Sequence, residues 1–510
     1  MNTNENEKTV NSVFDIIGKS VALVSIRTRR LIIFSAISLS ALRVIDIIGL
    51  GLIFPIIGIL SDKRDSITQF AGKDITTLLS QFSNNEIALY LAVGLFSLIV
   101  LKGVLSIGAT YWFGKAFFAD EAQCTGRLYQ DYLNASIKFH GNHNAAELLR
   151  NLKNTMPSWY GQVIRPLGGV VADIFLAFSI AILLLFANPL AGIVGLGILI
   201  TGAAGYWIVA SGPVRFIAIE AHSVATAYNK TLLESLGSIT DIKTLNSYSF
   251  FSDRFNSAVS RIVRAAYLYQ VFQQIPQNIL EITATAAILG FIIIATAGLV
   301  EGDMISFIAL FVASIVRLMP TSQRLVVTLN QMRGAGAAFE QVMKDVETFG
   351  PWFINGNRSK LLGPTASTID QSSDSFFDGI ELKNICYNYD GAPGVTNINL
   401  KISKGSSIGI IGPSGAGKST LARILLGLIE PQSGQFILNG QPRPGQESAI
   451  HRSIGYVPQD IHLLDDTLCR NIAFGLRDDE IDQDRVKMTI SQSQLEEFVK
   501  ALPNGWNTYV

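Results

Sequence analysis

A chain of 510 residues with 16% charged residues, 49% hydrophobic residues and a mean hydropathy of +0.35 is too apolar for an ordinary soluble enzyme. Its 40 basic and 40 acidic residues cancel, so nothing points to nucleic acid or another polyanion as a partner, yet they require part of the chain to live in water. The three cysteines, Cys124, Cys386 and Cys469, show no Cys-x-x-Cys spacing, which indicates neither a disulfide framework nor a zinc site.

The polar opening, with no short apolar region and cleavage site behind it, predicts a cytoplasmic N-terminal segment over residues 1–30 rather than a cleaved signal peptide. Six apolar stretches follow, each near or above the ~20 residues needed to cross ~30 Å of hydrocarbon as a helix. They run from Leu31 to Leu60, Ile87 to Phe117, Leu167 to Phe186, Leu190 to Ala210, Ile279 to Leu299 and Ile305 to Leu325. Ala187, Asn188 and Pro189 leave room only for a tight hairpin between the third and fourth. Between the first two, Ile67, Phe70, Ile75, Leu78, Leu79 and Phe82 repeat at helical spacing, predicting an amphipathic helix at the outer face or a capping core helix. The stretches from Ala119 to Tyr160 and from Arg215 to Asn278 read as helical extensions of the spans. Arg27, Arg29, Arg30 and the basic residues between Arg215 and Arg264 put the N-terminus and these extensions in the cytoplasm by the positive-inside rule. A six-span all-α membrane domain is expected over 31–346, a Gly/Ser/Asn-rich linker over 347–378, and part of a soluble α/β domain over 379–510.

The soluble part carries Gly412, Pro413, Ser414, Gly415, Ala416, Gly417, Lys418, Ser419 and Thr420, the P-loop pattern G-x-x-x-x-G-K-[ST]. Ser407 to Ile411 reads as a buried strand before it and Leu421 to Leu428 as a helix after it. Such a loop curls its N–H groups and the helix N-terminus around phosphates, with Lys418 reaching the β- and γ-phosphates and Ser419 offering its hydroxyl to Mg²⁺.

With these residues the chain resembles the nucleotide-binding domain of ABC transporters, preceded by the six-span membrane domain of their exporter class. The likeness extends over nearly the whole chain. It implies an ATP-driven exporter or flippase working as a homodimer, or as a heterodimer with another half-transporter, in the cell membrane, with ATP and Mg²⁺ as cofactors. Tyr389, 29 positions before Lys418, stands where the family stacks an aromatic on adenine, with Tyr387 as the fallback. Gln459, 41 positions after Lys418, matches the glutamine that reaches Mg²⁺ and the attacking water. No signature segment and no strand ending in Asp-Glu occurs in the 510 residues, so this stretch is expected to bind ATP weakly and hydrolyse almost none.

For the substrate, the segments Asp46–Pro55 and Arg317–Pro320 are similar to flippases of lipid-linked oligosaccharides; a peptide, lipid or multidrug exporter is the alternative. An inert fragment or an ATP-regulated membrane partner is the reading outside transport. Arg43, Asp46, Lys102, Asp173, Glu281 and Arg317 fall within apolar runs, where an ionisable group faces a cavity or a partner. Arg43 and Asp46 share one helix face, which leaves a structural pair and a functional role open. Arg317 has no acid at helical spacing. It is the candidate for a bidentate phosphate contact, the alternative being Asp173 or Glu281 on a neighbouring span.

Overall fold

A computed structural model describes residues 13–60, 83–189, 231–296, 304–351, 378–389, 392–442, 454–459 and 461–510, with isolated positions between 192 and 228 and at 354. The chain divides into two compact units, Met1–Ala135 with Phe139–Thr368, and Ile369–Val510 with the short segment Ser136–Lys138. Each unit has its own core.

The first unit is helical. It opens with α1 (Val13–Leu23) and α2 (Ile26–Leu60) and continues with α3 (Asn84–Asn134). The start of α3 is fixed by Ser83, whose hydroxyl accepts from the Glu86 N–H while Glu86 accepts from the Ser83 N–H, a reciprocal cap. After a short helix, Ile137–Asn142, the Asn144 side chain accepts from the Ala146 N–H and starts α4 (Ala145–Ala187). Then come α5 (Tyr248–Thr296), α6 (Met304–Gly334) and α7 (Gly336–Phe349). Four of these stretches, Ile26–Ile53, Asn84–Asn134, Ala145–Ala187 and Phe307–Gly334, are long and apolar enough to cross a membrane. The fifth expected span coincides with the end of α5, which holds the shorter apolar stretch Glu281–Gly290. The fourth lies largely outside the described residues, and the amphipathic stretch between α2 and α3, including Ile67, Phe70, Ile75, Leu78, Leu79 and Phe82, lies wholly outside them. Beside the expected hairpin, Asn188 leaves the helix at φ −155° and ψ 104°, and its carbonyl accepts from the Gly192 N–H at 2.8 Å.

Burial shows which solvent the helices meet. Along α3, Leu89, Val93, Phe96, Val100, Val104, Ile107 and Tyr111 are all exposed and recur at three- and four-residue spacing. In water such a stripe would be costly; against hydrocarbon it is the expected surface. Inside, Leu50, Leu176, Ile180, Phe307, Leu310 and Phe311 pack α2, α4 and α6 together. Close approach of α2 to α4 depends on Gly168, where a Cβ would stand 2.1 Å from Ser35 Oγ and 3.1 Å from the Ala36 backbone nitrogen.

Beyond the spans a second core gathers Ile16, Phe117, Leu128, Trp159, Tyr160 and Phe339 from α1, α3, α4 and α7. Here α4 widens into two π-helical turns, Asn151–Thr155 and Tyr160–Ile164. Pro157 and Pro166 lack N–H donors, and the ladder around them shifts, with the Arg165 N–H reaching Tyr160 O at 2.9 Å. The wider turns accompany two consecutive fully buried rings. Trp159 donates to Ser20 Oγ at 3.0 Å, and the Tyr160 hydroxyl donates to Asp120 Oδ2 at 2.9 Å.

The second unit holds a four-stranded antiparallel sheet in the order β2-β1-β3-β4, formed by β1 (Gly379–Tyr389), β2 (Ala392–Ser403), β3 (Ser433–Leu438) and β4 (Gln441–Pro442). Between β2 and β3 lies α8 (Lys418–Leu425), whose Leu421, Ile424 and Leu425 pack on Ile380, Leu382 and Ile385 of the sheet. Helices α9 (Leu468–Ile472), α10 (Gln483–Gln492) and α11 (Glu496–Ala501) form a small separate cluster around Cys469, Val486, Ile490 and Val499.

One expectation is corrected. Ser407 to Ile411 is not a buried strand: it has no regular secondary structure, and Ile408, Ile410 and Ile411 are exposed, Ile411 at 97%. An apolar run of this kind becomes an inner strand only when ladders form on both sides. Among the described residues the sheet pairs its own four strands and offers it none.

Candidate nucleotide and substrate sites

The P-loop is built by a turn that ends in α8. Gly417 caps the helix in the left-handed region at φ 85°, and a Cβ there would meet Val395 Cγ1 at 2.7 Å and Gly394 O at 3.1 Å, so a residue without a side chain is required. The turn is closed by the Ala416 N–H on Pro413 O at 3.2 Å. Lys418 folds over the loop and donates from Nζ to Gly412 O and Pro413 O, both at 2.8 Å. Gly412, Pro413, Ser414, Gly415 and Ser419 are exposed, whereas Thr420 is buried. A loop of this shape presents N–H donors, a helix N-terminus and an ammonium to an anion.

Tyr389 ends β1 beside this loop. Its hydroxyl accepts from Thr420 Oγ1 at 3.5 Å, and its ring meets Tyr387 edge-on with centroids 5.0 Å apart. The two rings differ in access: Tyr387 is buried and belongs to the sheet core, while Tyr389 is half-exposed. Gln459 is exposed after Pro458, and no hydrogen bond links it to the P-loop among the described residues.

In the first unit, the charges picked out along the spans converge. Asp46 of α2, its side chain 1% exposed, accepts from Lys102 Nζ of α3 at 2.7 and 2.8 Å. Arg317 of α6 lies 3.3 Å from Asp46 and Arg43 lies 3.7 Å from it. Arg43 also donates to Asp173 of α4 at 2.6 Å. Arg324 of α6 reaches the same carboxylate through Nε at 3.1 Å and Nη2 at 3.0 Å. Four cations therefore share two carboxylates. Burying ions is expensive unless each is paired and hydrogen-bonded, and here each carboxylate has at least two cationic partners and accepts at least two hydrogen bonds. A cavity of about 330 Å³ opens among α2, α3 and α6, lined by Asp46, Lys102 and Arg317 and by apolar side chains including Leu50, Ile99 and Val316.

Two readings change. Arg317 pairs with neither Asp173 nor Glu281 but with Asp46, because the helix–helix contact brings α2 rather than α4 beneath it. Arg324 went unnoticed because it falls at the polar end of its apolar run. Its position seven residues after Arg317, two helical turns on, was the signal available.

Membrane-length helices with a shared ion cluster, joined in one chain to a P-loop unit, define a membrane protein that carries a nucleotide-binding domain. Residues 31–320 match the family model described as ABC transporter transmembrane region, and residues 395–507 match the one described as ABC transporter. The chain belongs to the ABC transporter family, in its exporter class. It is 25% identical over 428 residues to the ATP-dependent lipid A-core flippase of Ralstonia nicotianae, covering 82% of this chain and 69% of that protein. It is 26% identical to the mitochondrial iron-sulfur clusters transporter ATM1 of Candida glabrata, covering 57% of this chain and 39% of that protein. To the leukotoxin translocation ATP-binding protein LktB of Mannheimia haemolytica it is 24% identical, covering 82% of this chain and 57% of that protein.

Proposed function

We propose that the chain is one half of a dimeric ABC exporter that uses ATP to flip or export a lipid-linked or amphipathic substrate with an anionic head group. The observation that carries this reading is the cluster of four cations on two carboxylates, set along membrane-length helices in a chain that also holds a P-loop. Net positive charge within a span is retained where it has work to do on an ion or a substrate. Arg317 and Arg43 are the proposed head-group contacts, since a guanidinium offers a phosphate two parallel donors. An iron-sulfur cluster or a leukotoxin as cargo, in line with the names of two relatives, gains no comparable support from this cavity.

In the nucleotide unit, the residues from Gly412 to Thr420 hold the phosphates of ATP and Tyr389 stacks on adenine. Ser419 and Gln459 are the residues that would offer oxygens to Mg²⁺, and Gln459 would also orient the attacking water. A Mg²⁺ held there would supply positive charge toward the β- and γ-phosphates. The division into residues 1–30, 31–346, 347–378 and 379–510 follows the composition shifts, and the basic residues flanking the spans favour a cytoplasmic N-terminus and nucleotide unit in the cell membrane. The test is ATP-dependent movement of a pyrophosphate-linked lipid by the complete dimeric transporter in proteoliposomes. Lys418→Ala should reduce it to the level without ATP. Transport that persists in that variant, or that never depends on ATP in the parent, would overturn the reading.

A further inference from the structure

Within the charge cluster, the cations and the carboxylate do not stand equally open to the cavity. Asp46 lies beneath it with a side chain 1% exposed, while Lys102 and Arg317 are 17% and 38% exposed. Both Oδ atoms of Asp46 are engaged by Lys102, and Oδ1 also faces Arg317. The two cations that line the 330 Å³ cavity are therefore already bound to an anion that belongs to the chain. Any anion that enters must either share these cations with Asp46 or draw them away from it.

The geometry points to Asp46 as a resident counter-anion that competes with the substrate's head group for Lys102 and Arg317. This rests on the anionic-head-group reading and deepens it, because it assigns the strength of binding to a residue that opposes the head group rather than attracting it. Competition of this kind is how a site rejects weak ligands: only an anion that offers the cations more than one carboxylate does can displace it. A singly charged lipid head group loses that contest, and a phosphate or diphosphate carrying several oxygens and more charge wins it. Displacement also has a mechanical consequence. Asp46 on α2 is the common partner of α3 and α6, so a head group that takes Lys102 and Arg317 transfers this tie from the protein to the ligand.

The experiment measures binding of three probes with one tail, farnesol, farnesyl phosphate and farnesyl diphosphate, to the chain in phosphatidylcholine nanodiscs. The parent protein should bind the diphosphate best and farnesol least. Asp46→Asn keeps the side-chain shape and removes the competing charge, so both phosphorylated probes should bind at least tenfold tighter while farnesol is unchanged. A carboxylate that merely orients Lys102 and Arg317, or merely supports the fold, gives the opposite sign: weaker binding on its removal. Unchanged or weakened binding of the phosphorylated probes by Asp46→Asn overturns the proposal. Failure of the parent protein to distinguish the three probes instead overturns the anionic-head-group reading on which it rests. Should Asp46→Asn alone not fold, the charge-conserving double variant Asp46→Asn with Arg317→Gln is compared with Arg317→Gln. Liberation of Lys102 still predicts tighter binding in the double variant, and equal or weaker binding refutes it.

Discussion

Tyr389 and Tyr387 sit two residues apart on one strand, yet burial gives them different uses. The ring of Tyr387 is a wall of the sheet core, and the ring of Tyr389 is half-open beside the P-loop with its hydroxyl on Thr420. If Tyr389 stacks on adenine, Tyr389→Trp should leave nucleotide affinity within a few-fold, and Tyr389→Ala should weaken it by ~1–3 kcal/mol, about 5- to 150-fold. Titration with a fluorescent ATP analogue separates the two. Equal weakening by Trp and Ala would mean that the ring serves packing. At this scale the sequence was informative where chemistry dictates spacing. The P-loop residues could be read directly, because only glycine fits the left-handed cap at Gly417 against Val395. The partner of Arg317 could not, since Asp46 is 271 positions away and the contact depends on which helices pack together.

At the scale of elements, helices were legible and their junctions less so. Apolar length marked α2, α3, α4 and α6, but nothing in composition foretold the π-helical turns of α4 or the unpaired run before the P-loop. Those features depend on what each segment meets in three dimensions. One junction carries a measurable consequence. On α7, just before the linker, Asp345 is buried among α3 and α4, accepting from the Tyr132 hydroxyl at 3.2 Å; that oxygen in turn accepts from Asn151 Nδ2 at 3.2 Å. Burial pushes the Asp345 carboxyl up to about 6 and Glu147 adds to the rise, while the Tyr132 hydrogen bond and His143 oppose it. Because the folded state holds this proton more tightly than the unfolded chain, the stabilisation is complete below about pH 4 and is lost as pH rises through about 6. Each tenfold gain in proton affinity is worth ~1.4 kcal/mol, so the loss is on the order of 2–3 kcal/mol. Asp345→Asn should melt together with the parent protein at pH 4 and above it at pH 7.5 in detergent. A constant difference across that range would show that ionisation of Asp345 does not reach the fold.

For the whole molecule, the question is whether the charge cluster reads a substrate or only fastens helices, and Arg317 separates these roles better than its neighbours. Removing Lys102 would take from Asp46 its shortest contacts and leave a buried charge poorly compensated, a change that costs several kcal/mol whatever the function. Arg317 is the most exposed cation around Asp46, and its loss leaves that carboxylate with Lys102 at 2.7 Å and Arg43 at 3.7 Å. The fold should therefore survive Arg317→Ala with its melting temperature changed by no more than a few degrees. If Arg317 holds a diphosphate through two parallel bonds, Arg317→Ala should slow ATP-driven transport of a pyrophosphate-linked lipid at least tenfold in proteoliposomes. Arg317→Lys keeps the charge but not the planar fork, so it should fall between parent and Ala. A neutral amphiphile carried by the same preparation provides the internal comparison, because its transport should respond equally little to both substitutions. Normal movement of the pyrophosphate-linked lipid by Arg317→Ala, or equal slowing of both cargoes, would leave the cluster with a structural role alone.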